Sequence, residues 1–211
     1  MQTYIYFHIC RINNWKDVVD KLWVDICASG LYDKVTEIRA VAVGETKESP
    51  PPFFSDLKFR LLYESNDASN YERSTLNLLY THSVDAVDDF RALYIHSKGV
   101  THNNKYPGVT DWTNYLSYFN ISKHDLCLEQ LLSNDAVGVN LTKVPQVHFS
   151  GNFWWSKSSH IRTLSLCNDP YYLAPEFWIT KKENGVYKSL WESGVNHYHQ
   201  RYLPDEYMDK I

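Results

Sequence analysis

The run Tyr4-Ile5-Tyr6-Phe7-His8-Ile9-Cys10 leaves few folds open to this chain. Its apolar and aromatic side chains fall at odd and even positions alike, so both faces of an extended segment must be covered. That is the pattern of an interior parallel strand sandwiched between helix layers. The next segment has the other period. After two candidate cap residues, Asn13 and Asn14, come Trp15, Val18, Val19, Leu22, Trp23 and Ile26, one face of a helix, with Gly30 as its stop.

The alternation continues. Glu37 to Val43 reads as a second strand and Phe59 to Tyr63 as a third, separated by a Ser49-Pro50-Pro51-Pro52 loop that regular structure cannot contain. A polar stretch from Glu64 to Asn70 leads into a helix over about 71–83, which buries Leu76, Leu79 and Tyr80. Ala92 to His96 is a fourth strand, and residues 101–110 form a polar loop with Pro107 and Gly108. Asp111 is placed to cap the next helix, whose inner face carries Trp112, Tyr115, Leu116 and Phe119. Beyond it the pattern predicts a helix near 123–132, strands over 136–141 and 148–155, and a helix through 156–164. The last forty residues are aromatic and polar and show no period.

Strands alternating with helices imply an α/β fold with a doubly wound sheet. No repeat or low-complexity linker divides the chain, so one domain over residues 1–211 is expected, alone or as a module of a longer protein. A net charge of −4 offers no field for nucleic acid or an anionic membrane. No signal peptide or membrane span is legible. Cys10, Cys27, Cys127 and Cys167 are scattered, which suits reduced thiols in the cytoplasm. The aromatic share is 15%, with 7 Trp and 16 Tyr. Such rings serve a core, and they also stack on the apolar faces of sugars.

Dinucleotide, P-loop, nucleophile-elbow and HExxH signatures are all missing from the sequence. The sites must therefore be sought where doubly wound sheets bind ligands, beyond the carboxyl ends of the strands. Four stretches qualify. In Tyr94-Ile95-His96-Ser97-Lys98-Gly99, Lys98 could neutralise a diphosphate and His96 could meet a cation or a phosphate oxygen. His148 to Lys157 carries Ser150-Gly151-Asn152, a unit small enough for close backbone approach, and then the stacking surfaces of Trp154 and Trp155. In Pro175-Glu176-Phe177-Trp178 a lone carboxylate stands between aromatics, a setting for acid–base or ion-stabilising work. Asn70 to Thr75 opens a helix, where anions are favoured and where Tyr71 could stack on a base. Each stretch also has a plain structural reading as strand end, core or cap.

Taken together, YIHSKGV (94–100), TDWTNYL (110–116), DAVGVNL (135–141), HFSGNFWWSKSSHI (148–161) and PEFWI (175–179) resemble small glycosyltransferases of bacteria and large DNA viruses, among them chlorella virus enzymes that decorate the major capsid protein. The resemblance implies a GT-A-like fold, a mixed central sheet with helices on both faces. It also implies transfer of a hexose or deoxyhexose from a UDP-sugar to a glycan hydroxyl, with manganese as the divalent cation. Retention is the expected outcome and inversion stays open; no carboxylate pair is placed for double displacement, so a retaining enzyme would use a front-face route. Glu176 and Asn152 become the catalytic candidates. The donor candidates are His8, Tyr71, Thr75, Tyr94, His96, Lys98, Ser150 and Gly151. Asp111, Trp112 and Trp154 would meet the acceptor. Where such folds carry a DXD motif this chain reads Tyr94-Ile95-His96, so the metal would fall to His96 or His148 or be partly replaced by Lys98. A monomer is expected. Two alternatives stay open: a carbohydrate-binding module without chemistry, and an inactive transferase-like scaffold.

Overall fold

A computed structural model describes residues 1–103 and 105–210. Its first half runs β1 (Gln2–Cys10), α1 (Trp15–Ala28), α2 (Leu31–Lys34), β2 (Glu37–Val43), β3 (Phe59–Ser65), α3 (Arg73–Asp85) and β4 (Phe90–His96). The second half runs α4 (Pro107–Ser117), α5 (His124–Gln130), β5 (Ala136–Gly138), β6 (Leu141–Thr142), β7 (His148–Phe149), β8 (Trp154–Lys157), α6 (Ser158–Ile161), α7 (Ala174–Trp178) and β9 (Tyr187–Ser189).

Seven strands form one mixed sheet in the order β3-β2-β1-β4-β8-β5-β9. β1 pairs in parallel with β2 on one side and β4 on the other, while β8 runs antiparallel between β4 and β5. The chain order therefore reverses at β1 and β4, and the crevice of the fold opens at that point. β1 shows why the sheet sits where it does. Ile5, Phe7 and Ile9 enter one core with Val19, Leu22 and Ile26 of α1 and with Trp112, Tyr115 and Leu116 of α4. Tyr4 and Tyr6 enter the opposite core with Leu76 and Leu79 of α3, Trp154 of β8 and Trp178 of α7. The continuous apolar run is thus read twice, once on each face, and the fold is α/β with helices on both sides of a mixed sheet.

Most expected elements are present, with four differences. The helix expected to be capped by Asp111 begins a turn earlier, at Pro107, because proline is pre-set for the first helical position. Asp111 instead lies inside α4, 6% exposed, and forms an ion pair with Arg201. The strand expected over 136–141 is broken at Asn140, whose φ of 50° turns β6 out of the main sheet. The strand expected over 148–155 is likewise two pieces, β7 and β8, hinged at Gly151 and Asn152 with φ of 96° and 56°. Finally, residues 156–157 stay extended, so the helix expected from 156 starts at Ser158.

Candidate functional site

The ends of β1 and β4 are laced together before any site chemistry begins. The Ser97 N–H donates to the His8 carbonyl at 2.9 Å, and the Cys10 N–H donates to Ser97 Oγ at 2.8 Å. Gly99, at φ 88°, then reverses the chain where a Cβ would stand 2.7 Å from Val109 Cγ1. This tight turn presents Lys98 to a cleft of about 230 Å³ beyond the two strand ends. His8, Glu72, His96, Tyr71, Tyr172 and Glu176 are also in its wall.

Glu72, the residue preceding α3, organises the floor. Its carboxylate accepts the Tyr94 hydroxyl at 2.8 Å and the side-chain amide of Asn152. His96 Nδ1 lies 3.6 Å from the same carboxylate. His96 Nε2 is 3.0 Å from the Gly151 carbonyl. A carbonyl can only accept, so Nε2 carries the proton and points away from the cleft. Burial, with Lys98 adding to it, lowers the His96 pKa to about 4. Burial likewise lowers His8 to about 4, and its Nδ1 is 2.8 Å from Thr75 Oγ1. Both imidazoles are neutral at pH 7.

Lys98 differs from its neighbours. Its ammonium sits 3.8 Å from the centre of the Trp112 ring, and among the described residues it has no carboxylate within salt-bridge distance. Burial lowers its pKa, while Glu176 and Glu72 act in the opposite sense. At the rim, Tyr71 and Tyr172 meet edge to face at 5.1 Å. Arg73 ties that rim to α3 by donating to the carbonyls of Asp169 (2.8 Å) and Tyr171 (2.7 Å).

A second, more open groove of about 420 Å³ lies on the far side of Trp112. Asn140, His148, Ser150, Glu192 and His197 contribute to its lining, and Tyr198 lines both cavities. His197 stacks on Trp112 with ring centres 5.0 Å apart and 7° between planes. Trp112 thus has both the Lys98 ammonium and the His197 imidazole against its ring. Where cleft and groove adjoin, His148 Nε2 is 3.9 Å from Glu176 Oε2.

The sequence candidates divide accordingly. His8, Tyr71, His96, Lys98 and Glu176 all line the cleft; Trp112, His148 and Ser150 line the groove. Thr75 and Tyr94 support the cleft from below, since both are fully buried and bonded to His8 and Glu72. Asn152, expected to act on substrate, is 1% exposed with its amide committed to Glu72 and Trp154. Gly151 gives its carbonyl to His96. Trp154, expected at the acceptor, is a core residue at 0% exposure, stacked on Tyr94. Asp111 is held by Arg201, outside both cavities. Sequence reasoning passes over Glu72 although it stands inside a stretch selected for its helix N-terminus; a carboxylate in that place is the signal that finds it. Tyr172 and Tyr198 come from the aperiodic tail, where no signal marks them.

The residues present do not fit a ready-made manganese site. Among the described residues no three His, Cys, Asp or Glu side chains converge as a metal would need. His96 and His148 face different cavities, and the His96 nitrogen that carries its proton is spent on Gly151. No helix of the described residues is long and apolar enough to cross a membrane.

Comparison with known proteins adds three findings. The model of a family described as a domain of unknown function, DUF8361, matches residues 41–188, from β2 to β9, and so includes Glu72, Lys98, His148 and Glu176. No curated protein shows significant sequence similarity to the chain. Two solved structures take a similar course. One is a candidate nucleotide-diphospho-sugar transferase from Desulfovibrio desulfuricans G20, 12% identical, covering 91% of this chain and 81% of that one, with a TM-score of 0.46. The other is HddC from Yersinia pseudotuberculosis, 9% identical, covering 91% of each chain, also with a TM-score of 0.46. Likeness at this level carries no residue correspondence.

Proposed function

The chain belongs to the DUF8361 family, a membership that brings no activity with it, and on the geometry of its own site we propose that it is a glycosyltransferase using a UDP-sugar donor. The observation that carries this reading is the cleft at the sheet's switch point. It sets Lys98, an ammonium with no carboxylate within salt-bridge distance among the described residues, in one wall with the Glu176 carboxylate under a tyrosine rim. In this reading Lys98 faces the diphosphate, where charge builds as the leaving group departs. Tyr71 and Tyr172 offer ring faces to the uracil. Glu176 stands by the anomeric carbon, whose developing positive charge a carboxylate stabilises. His96 and His8, neutral and tied to backbone and Thr75, shape the floor without adding charge. A hexose or deoxyhexose fits the space beside Glu176, and the groove past Trp112 receives the acceptor. No step is routed through a metal, because the donor set does not match one.

Calorimetric titration with UDP, GDP and CMP tests this. UDP binding that weakens at least tenfold in Lys98→Ala supports the reading; absence of nucleotide binding removes it. The groove by itself would equally serve a glycan-binding module without chemistry, and that second reading prevails if glycans bind and UDP does not.

A further inference from the structure

Resting on the transferase reading, the geometry points to His148 as the base that takes the acceptor's proton, with the groove as the seat of a neutral, hydroxyl-rich acceptor. His148 is 7% exposed and its Nδ1 lies 2.8 Å from the Gln146 carbonyl. Because that carbonyl accepts, Nδ1 carries a proton, and in the neutral ring the lone pair is on Nε2. The ring cannot swing freely: it packs edge to face on Phe177 with centres 5.2 Å apart. Nε2 then faces Glu176 Oε2 across 3.9 Å. An acceptor O–H at this junction donates its single proton to Nε2, at about 2.8 Å, and leaves the Glu176 carboxylate to face the anomeric carbon.

The position of this pair gives the gap its meaning. Glu176 lines the cleft and His148 lines the groove, so a hydroxyl lodged between them belongs to a molecule in the groove and touches the donor's reacting end. Amides, hydroxyls, imidazoles, an indole and the Glu192 carboxylate, which accepts the Leu141 N–H, line that groove, and no Lys or Arg is among its described lining residues. A phosphate- or carboxylate-bearing acceptor finds no cation there, whereas sugar hydroxyls find donors and acceptors throughout. In the step, the acceptor O–H proton passes to Nε2 and the oxygen's electron pair forms the bond to the anomeric carbon. The bond from that carbon to the β-phosphate oxygen breaks, and UDP leaves with its electron pair. The imidazolium returns its proton to water through the open groove.

The test compares unaltered protein, His148→Gln and His148→Ala. Each is assayed for UDP affinity, thermal stability, and UDP release from UDP-glucose and UDP-rhamnose with methyl hexosides as acceptors. The inference predicts UDP affinity within threefold of the unaltered protein and UDP release down 10²- to 10⁴-fold, about the range of a lost general base. Added imidazole should restore release in His148→Ala and leave His148→Gln unchanged. Release within threefold of normal in His148→Ala would overturn the assignment, as would a loss that tracks thermal stability and ignores imidazole. Failure of the unaltered protein to bind UDP is a separate result, and it removes the transferase reading itself.

Discussion

Residues 2–96 and residues 97–210 build one sheet by different means. In the first part, strands of seven to nine residues lie parallel, and α1 and α3 cover them with long apolar faces. In the second, β5 to β9 are two to four residues long, and Asn140, Gly151 and Asn152 turn the chain at positive φ. The regular part fixes where the strand ends open, whereas the irregular part supplies Glu176, His148 and the groove. Loops on a rigid frame are the usual home of chemistry, and here the frame and the chemistry divide along the chain.

One property runs across both parts and gives the largest expected effect. Each buries neutral imidazoles: His8 and His96 in the first, His197 in the second, all lowered to about 4 with burial as the main cause. Between pH 6.5 and about 4 the unfolded chain binds protons at these sites that the folded chain refuses. Stability from them is therefore whole above pH 6.5, falls as pH drops through that window, and levels off below about 4. Each histidine contributes at most about 1.4 kcal/mol per pH unit. Urea denaturation at pH 7, 6, 5 and 4 measures the slope, and a flat profile would contradict the burial of these rings.

Trp154 sharpens the division between core and site. It sits fully buried against Tyr94 and Trp178, so Trp154→Ala should cost about 3–5 kcal/mol in denaturant unfolding. Trp154→Phe, which keeps most of the ring, should leave UDP affinity unchanged; a selective loss of ligand binding without loss of stability would return Trp154 to the site. Glu72→Ala crosses the two parts, since it strips the acceptor from Tyr94 in the first and from Asn152 in the second. Leaving those donors unpaired costs about 2–3 kcal/mol, seen as a lowered urea midpoint. The smallest expected effect is Gly151→Ala, at about 1–2 kcal/mol. A Cβ there would stand 2.7 Å from Leu116 Cδ1 and 2.9 Å from Trp112 Nε1, on backbone at φ 96°.

The legibility of the sequence divides at the same place. From Tyr4 to His96 the periods of 2 and 3.6 are long enough to declare themselves, and counting to the end of a strand is enough to find His96 and Lys98. In Ala136–Leu141 the apolar run looks continuous across Asn140, and in His148–Trp155 the Ser150-Gly151-Asn152 unit reads as a place for a ligand to approach, where the chain in fact turns. Asn152 and Trp154 read as ligand contacts for that reason. Glu72 does not stand out because its partners, Tyr94 and Asn152, are 22 and 80 residues away in sequence. Glu176 reaches the cleft on the short helix α7, and Tyr172 and Tyr198 on loops, in a part of the chain that shows no period.

In this reading the cleft between the ends of β1 and β4 holds a UDP moiety through Lys98. Calorimetric titration of UDP into the unaltered protein and into Lys98→Ala, Lys98→Arg and Trp154→Phe tests it most directly. UDP binding should be selective, weakened at least tenfold in Lys98→Ala, partly recovered in Lys98→Arg and unchanged in Trp154→Phe. Equal UDP affinity across all four proteins, or no affinity in any, would contradict it.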